Sequence, residues 1–117
     1  MTEEAVEALS DGIRLAGTLA RPDGLPRAVA VVVPGSGPTD RDGNNPLGVA
    51  ARPYRLLAEG LSAAGIATLR TDKRGLFGSA AEGLDADDVR VKDYVRDTLA
   101  WVAVARQGTG ADCAWLM

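Results

Sequence analysis

Three observations predict an α/β fold with a mainly parallel sheet. Short runs of β-branched residues lack polar alternation, the pattern of strands buried on both faces. Segments with helical spacing separate those runs, and strands alternating with helices imply right-handed crossovers. A hairpin signal precedes them all. The chain therefore reads as a β-hairpin followed by a β-α-β-α-β unit, in a single domain over residues 1–117.

The hairpin rests on a first segment from Val6 to Leu9, the turn pair Asp11-Gly12, and Ile13, Leu15, Gly17 and Leu19 at alternating positions. Arg21-Pro22-Asp23-Gly24 ends it. Residues 28–33, Ala-Val-Ala-Val-Val-Val, form the first buried strand. A polar, glycine- and asparagine-rich loop follows, from Pro34 to about Arg52, and irregular stretches of that length inside a compact domain are more often functional than idle.

Pro53 suits the first turn of a helix, Tyr54, Leu57, Ala58, Leu61 and Ala64 continue at helical spacing, and Gly65 is the stop. Ile66-Ala67-Thr68-Leu69 reads as the second buried strand, ending where Thr71-Asp72-Lys73-Arg74-Gly75 introduces charge and glycine. After a further loop, Val91, Tyr94, Val95, Thr98, Val102 and Ala105 mark one face of a second helix. Asp87 and Asp88 are expected at its positive end and Gly108 just past the other. Residues 113–117, all apolar, read as a third parallel strand.

Composition narrows the function. The 117 residues are 46% hydrophobic and 25% charged, an ordinary globular balance. Lys and Arg total 13 against 16 Asp and Glu, a net charge of -3 with no basic stretch, so a nucleic-acid partner is not expected. The longest apolar run, 28–34, falls far short of the roughly 18 residues that cross a bilayer, and no signal pattern opens the chain. The expected location is cytoplasmic, without a membrane partner. One cysteine gives neither an internal disulfide nor a structural zinc site. With no histidine, no Ser-His-Asp or Cys-His mechanism and no histidine-bound metal can be built from this chain alone. No metal or cofactor is expected.

In open α/β sheets ligands bind outside the carboxyl ends of the strands, which directs attention to the loops after Val33 and Leu69. The first, Pro34-Gly35-Ser36-Gly37-Pro38-Thr39-Asp40-Arg41-Asp42-Gly43-Asn44, carries glycines that let backbone N–H groups face a ligand, as in anion and oxyanion sites. The same glycines could simply form a tight turn. A dinucleotide fingerprint needs glycine where Asp40 stands, and Pro38 interrupts the required turn into a helix; a Walker loop is absent. Ser36 has no histidine and no lysine near it in sequence, so it is not read as a nucleophile. Cys113 is expected buried, and Trp101 and Trp115 are expected in the core.

The motifs Pro34 to Asn44, Leu69-Arg70-Thr71-Asp72-Lys73-Arg74-Gly75 and Asp97-Thr98-Leu99-Ala100-Trp101-Val102 resemble those of bacterial α/β-hydrolase-fold serine hydrolases, esterases related to serine aminopeptidase-like hydrolases. The resemblance covers nearly the whole chain. It implies the N-terminal portion of an α/β-hydrolase fold, truncated before the nucleophile elbow, since a Gly-His-Ser-x-Gly elbow should follow the strand at 113–117 and an acid and a histidine should come later. It implies carboxylic-ester chemistry, with amides or thioesters as related substrates. Carried over by position, Ser36 supplies one oxyanion N–H, and Gly35, Gly37, Asp40 and Arg41 are the candidate substrate-binding residues. Asp40, Arg41 and Arg74 either touch substrate or only order loops. Asp72 is expected to bind nearby backbone N–H groups and shape its turn. The family pattern Arg-Gly-x-Gly-x-Ser is broken here: Phe77 stands at the second glycine, Gly78 one later, and Ser79 keeps its place.

If the chain stops at Met117, its last strand becomes a flat apolar edge, which implies self-association or a complementing C-terminal half. Three functions follow from these readings. The first is an ester hydrolase to which this chain contributes the oxyanion loop without being active alone. The second is a non-catalytic module that binds a partner through its last strand. The third, a nucleotide-binding domain, is disfavoured by Asp40 and Pro38.

Overall fold

A computed structural model describes residues 1–117. Asp11 and Gly12 both take positive φ, 52° and 74°, the pair of left-handed residues that gives a two-residue turn the twist of its flanking strands. This turn joins β1 (Thr2–Ser10) to β2 (Ile13–Arg21), paired from Ser10 opposite Ile13 to Thr2 opposite Arg21. β1 starts earlier than its apolar residues suggest because Glu3 is used structurally, pairing with Arg55 and Arg70.

The other strands are β3 (Ala28–Val32), β4 (Ile66–Thr71) and β5 (Trp115–Leu116). The sheet order is β1-β2-β4-β3-β5, with β3 parallel to both β4 and β5 and β2 antiparallel to β4. From β3 the chain steps one way to β4 and then back across β3 to β5. Right-handed crossovers in opposite directions put the two helices on opposite faces, so the strand order reverses at the carboxyl end of β3.

α1 (Pro53–Ala63) begins at Pro53, behind the left-handed Arg52 (φ 54°), and ends before Gly65 (φ 82°), as the sequence predicts. α2 (Val91–Thr109) differs in its limits and its face. Gly108 lies inside the helix, and the cap is Gly110 at φ 74°. Asp87 and Asp88 belong to a separate 3-10 turn, Ala86–Asp88. The acid at the helix start is Asp93, whose carboxylate accepts the Arg90 N–H at 2.9 Å and is thereby held below the usual aspartate range.

The buried stripe of α2 is Asp97, Trp101 and Ala105, while Val91 and Val95, placed on the core face by apolar spacing alone, are 78% and 54% exposed. Two features turn the helix this way. Asp97 is drawn inward by Arg74. Gly17 leaves room for the Trp101 ring, since a Cβ there would stand 2.9 Å from Trp101 Cη2.

The third parallel strand is shorter and more open than expected. Only Trp115 and Leu116 pair, with Ala30 and Val31, and the outer edge of β5 has no neighbour in the sheet. Trp115 is 68% exposed and Cys113 is exposed, which corrects the core placement of both. Their apolar character predicted burial, but burial needs a covering layer, and nothing in residues 1–117 lies over them. Trp101, at 3% exposure, is core as predicted.

Candidate oxyanion site

The site is built where two loops meet beyond β3 and β4. Asp72, just past β4 and 3% exposed, accepts from the Arg41 backbone N–H at 2.8 Å, from Arg41 Nη2 at 2.7 Å and from the Gly78 N–H at 3.1 Å. One carboxylate thus fastens the loop after β3 to the turn after β4, in the loop-shaping role the sequence assigned to it. Gly78 is needed for this approach, because a Cβ would stand 2.6 Å from Arg41 Nη2 and 2.9 Å from Ala16 Cβ. The displaced glycine has a visible consequence. Phe77 takes φ 47°, the left-handed conformation that glycine adopts without cost. Ser79 completes the turn, its hydroxyl accepting from the Ala16 N–H at 2.9 Å and donating to the Asp72 carbonyl at 2.8 Å.

Within the first loop, Asp40 Oδ1 accepts the N–H groups of Asp42 and Asn44, both at 2.9 Å. Asp42 in turn accepts from Arg70 Nη1 at 2.9 Å, tying the loop to the middle of the sheet. Asp40 and Arg41 line a polar cavity shared with Glu3, Arg55 and Arg70. Gly35 and Ser36 line a different one, of about 270 Å³, between the end of β3 and α2, with Val33, Lys73 and Tyr94 among its walls. The structure brings Gly35, Ser36 and Gly37 together and leaves Asp40 and Arg41 on the far side of Asp72.

The Gly35–Gly37 segment is held from two sides. The Gly35 N–H donates to Tyr54 Oη at 3.1 Å, and Lys73 Nζ donates to the carbonyls of Gly35 and Gly37 at 2.7 and 2.6 Å. Between these anchors the Ser36 carbonyl accepts from Thr39 Oγ1 at 3.2 Å, while the Ser36 N–H has no acceptor within the protein. Lys73 is partly buried, and desolvation pushes its pKa below the ordinary lysine value.

Although sequence distance hid it, a lysine therefore lies close to Ser36. Its ammonium protons point at backbone carbonyls, and no hydrogen bond joins Nζ to the Ser36 hydroxyl, so Ser36 has no base. Tyr54 and Lys73 are the two site residues that sequence reasoning missed. The available signals were slight: a tyrosine in the first turn of the helix that closes the loop, and a lysine in a strand-end turn.

Arg74 braces the neighbouring wall. Nε and Nη2 contact the two oxygens of the buried Asp97 at 3.0 and 2.6 Å, and Nη2 also reaches Asp11 at 3.0 Å. The Asp97 hydrogen bonds raise its pKa further above the ordinary arginine value, so Arg74 is cationic at every accessible pH. The group joins α2, the strand-end turn and the β1–β2 turn.

No family model matches the sequence, and no curated protein matches it. Solved structures do. The α/β hydrolase GrgF from Penicillium sp. sh18 superposes with a TM-score of 0.72 at 19% identity, over 97% of this chain and 34% of its own. An α/β serine hydrolase homologue from Coxiella burnetii gives 0.66 at 21% identity, over 99% and 51%. A cold-adapted esterase from an Arctic intertidal metagenomic library gives 0.70 at 17% identity, over 97% and 48%. The chain has the N-terminal part of the α/β-hydrolase fold. It spans about a third to a half of the length of these structures. No helix of this hydrolase-fold chain is long and apolar enough to cross a membrane.

Proposed function

We propose that this chain is the N-terminal part of a cytoplasmic serine hydrolase acting on carboxylic esters, and that it contributes the oxyanion loop. The carrying observation is the unpaired Ser36 N–H, at the carboxyl end of β3 where the strand order reverses, on a segment whose Gly35 N–H and Gly35, Ser36 and Gly37 carbonyls are engaged, the Gly37 N–H beside it being free as well. Attack of a nucleophile on an ester carbonyl moves the π pair onto oxygen, and a fixed N–H stabilises that charge at no cost of reorganisation. Proton transfer to the leaving alcohol is not assigned to this chain, which has no histidine. Residues 1–117 alone are expected to be inactive.

The test uses p-nitrophenyl acetate and the protein as isolated from its natural source. Ser36→Pro deletes the N–H and is expected to lower kcat by about 100- to 1000-fold, whereas Ser36→Ala keeps it and stays near wild type. Equal activity of the two variants would remove Ser36 from the oxyanion role.

A second reading, a non-catalytic module that associates through its last strand, is favoured by one observation. Trp115, Leu116 and Met117 are 68%, 57% and 52% exposed along the open edge of β5. Unpaired apolar edges of this kind template association. We infer self-association or a complementing chain at this edge. A monodisperse monomer in sedimentation velocity at high concentration would count against it.

A further inference from the structure

The Ser36 N–H belongs to the same planar unit as the Gly35 carbonyl, and in a trans peptide the two point in opposite directions. Whatever holds the Gly35 oxygen therefore aims the Ser36 N–H. Glycines on both sides, Gly37 with φ 77° among them, make rotation of this peptide cheap, and a rotated peptide would present a carbonyl where the donor should be. Lys73 Nζ grips the Gly35 oxygen at 2.7 Å and the Gly37 oxygen at 2.6 Å. Tyr54 Oη holds the far side by accepting the Gly35 N–H at 3.1 Å. Charge-assisted hydrogen bonds are roughly twice as strong as neutral ones, so the ammonium is the stronger restraint.

We propose that Lys73 is the positioning residue of the oxyanion site, locking the Gly35–Ser36 peptide with its N–H turned outward to the acyl oxygen. The inference rests on the hydrolase reading for its purpose and on the geometry alone for the lock. Because the grip depends on a charged donor, it weakens as Lys73 loses its proton, and burial moves that loss below the ordinary lysine value of 10.5.

Two measurements separate the lock from its purpose. In the 117-residue chain, carbon-detected NMR correlations report the Gly35 and Gly37 carbonyl carbons and the Ser36 nitrogen at alkaline pH. All three are expected to titrate in one step with a midpoint below 10.5, and the step is expected to vanish in Lys73→Met. No step, or the same step in Lys73→Met, overturns the lock.

In the naturally isolated protein, Lys73→Met is expected to lower kcat toward p-nitrophenyl acetate by about tenfold, less than loss of the donor itself, with KM changed less than about twofold. Lys73→Arg offers two N–H groups to the same carbonyls and is expected to restore part of the rate; it also serves if Lys73→Met fails to fold. An unchanged kcat in Lys73→Met overturns the positioning role. A wild-type protein without esterase activity defeats the hydrolase reading instead, and the NMR titration still decides the lock.

Discussion

Beneath α2 the sheet presents Leu15, Leu19, Val29, Val31 and Leu69 to Trp101 and Ala105, and none of these is more than 3% exposed. Beneath α1 it presents Thr18, Thr68 and Arg70 among the smaller buried residues Ala20, Ala30 and Val32, and the only fully buried residue of that helix is Ala58. Leu56, at 59% exposure, is left mostly to solvent, and Leu57, at 36%, is only partly covered. The first face gains stability by removing apolar area from water. On the second a smaller apolar set shares the face with an ion network, Arg70 with Glu3 and Asp42, Glu3 with Arg55 and Asp42 with Arg52, in which desolvation offsets most of the Coulombic attraction. The network's product is position rather than stability, because Asp42 and Asp40 shape the loop that carries Ser36.

Trp101→Ala tests the apolar face most severely. It is expected to cost about 3–5 kcal/mol, as large aromatic truncations in cores do, measured by urea unfolding followed by far-UV circular dichroism. A smaller change on the same face, Gly17→Ala, forces a Cβ to within 2.9 Å of both the Trp101 ring and the Arg70 carbonyl. About 1–3 kcal/mol of destabilisation is expected from that overpacking.

The polar face predicts the opposite sensitivity. Arg70→Leu removes a charge that is 2% exposed and whose Nε has no partner, while Glu3 and Asp42 keep Arg55 and Arg52. Stability is expected to stay within about 1 kcal/mol of wild type, and a loss above about 3 kcal/mol would erase the contrast between the faces. The loop residues 34–52 should nonetheless become more susceptible to limited proteolysis, since one of their anchors is gone. The smallest effect is expected at Phe77. Phe77→Gly relieves about 1–2 kcal/mol of left-handed strain against roughly 0.5–1 kcal/mol of added chain entropy, a net gain of about half a kcal/mol that calorimetry would register as a small rise in Tm.

Much of this architecture is legible in the chain because it is local. Asp11-Gly12 asks for its own turn, Pro53 and Gly65 bracket a helix, and the β-branched run of β3 marks a strand covered on both sides. The glycine-rich segment at Ser36 is visible for the same reason, as is the mismatch at Phe77, which the backbone resolves by taking a glycine-like φ. Asp72 was recognisable as a loop-shaping acid, although its main partner was not.

What the linear order withholds is which distant groups meet. Sequence alone determined the succession of strands and helices and the turn residues. Tertiary structure decided that α2 turns Asp97 and Trp101 inward rather than Val91 and Val95, that Trp115 and Cys113 stand exposed, and that Lys73 and Tyr54 frame Ser36. The physical reason lies in range. Backbone conformation and side-chain spacing act over a few residues, whereas the Lys73–Gly37, Arg41–Asp72 and Arg74–Asp97 contacts join residues 36, 31 and 23 positions apart, and those groups become neighbours only when the sheet order sets the strand ends side by side.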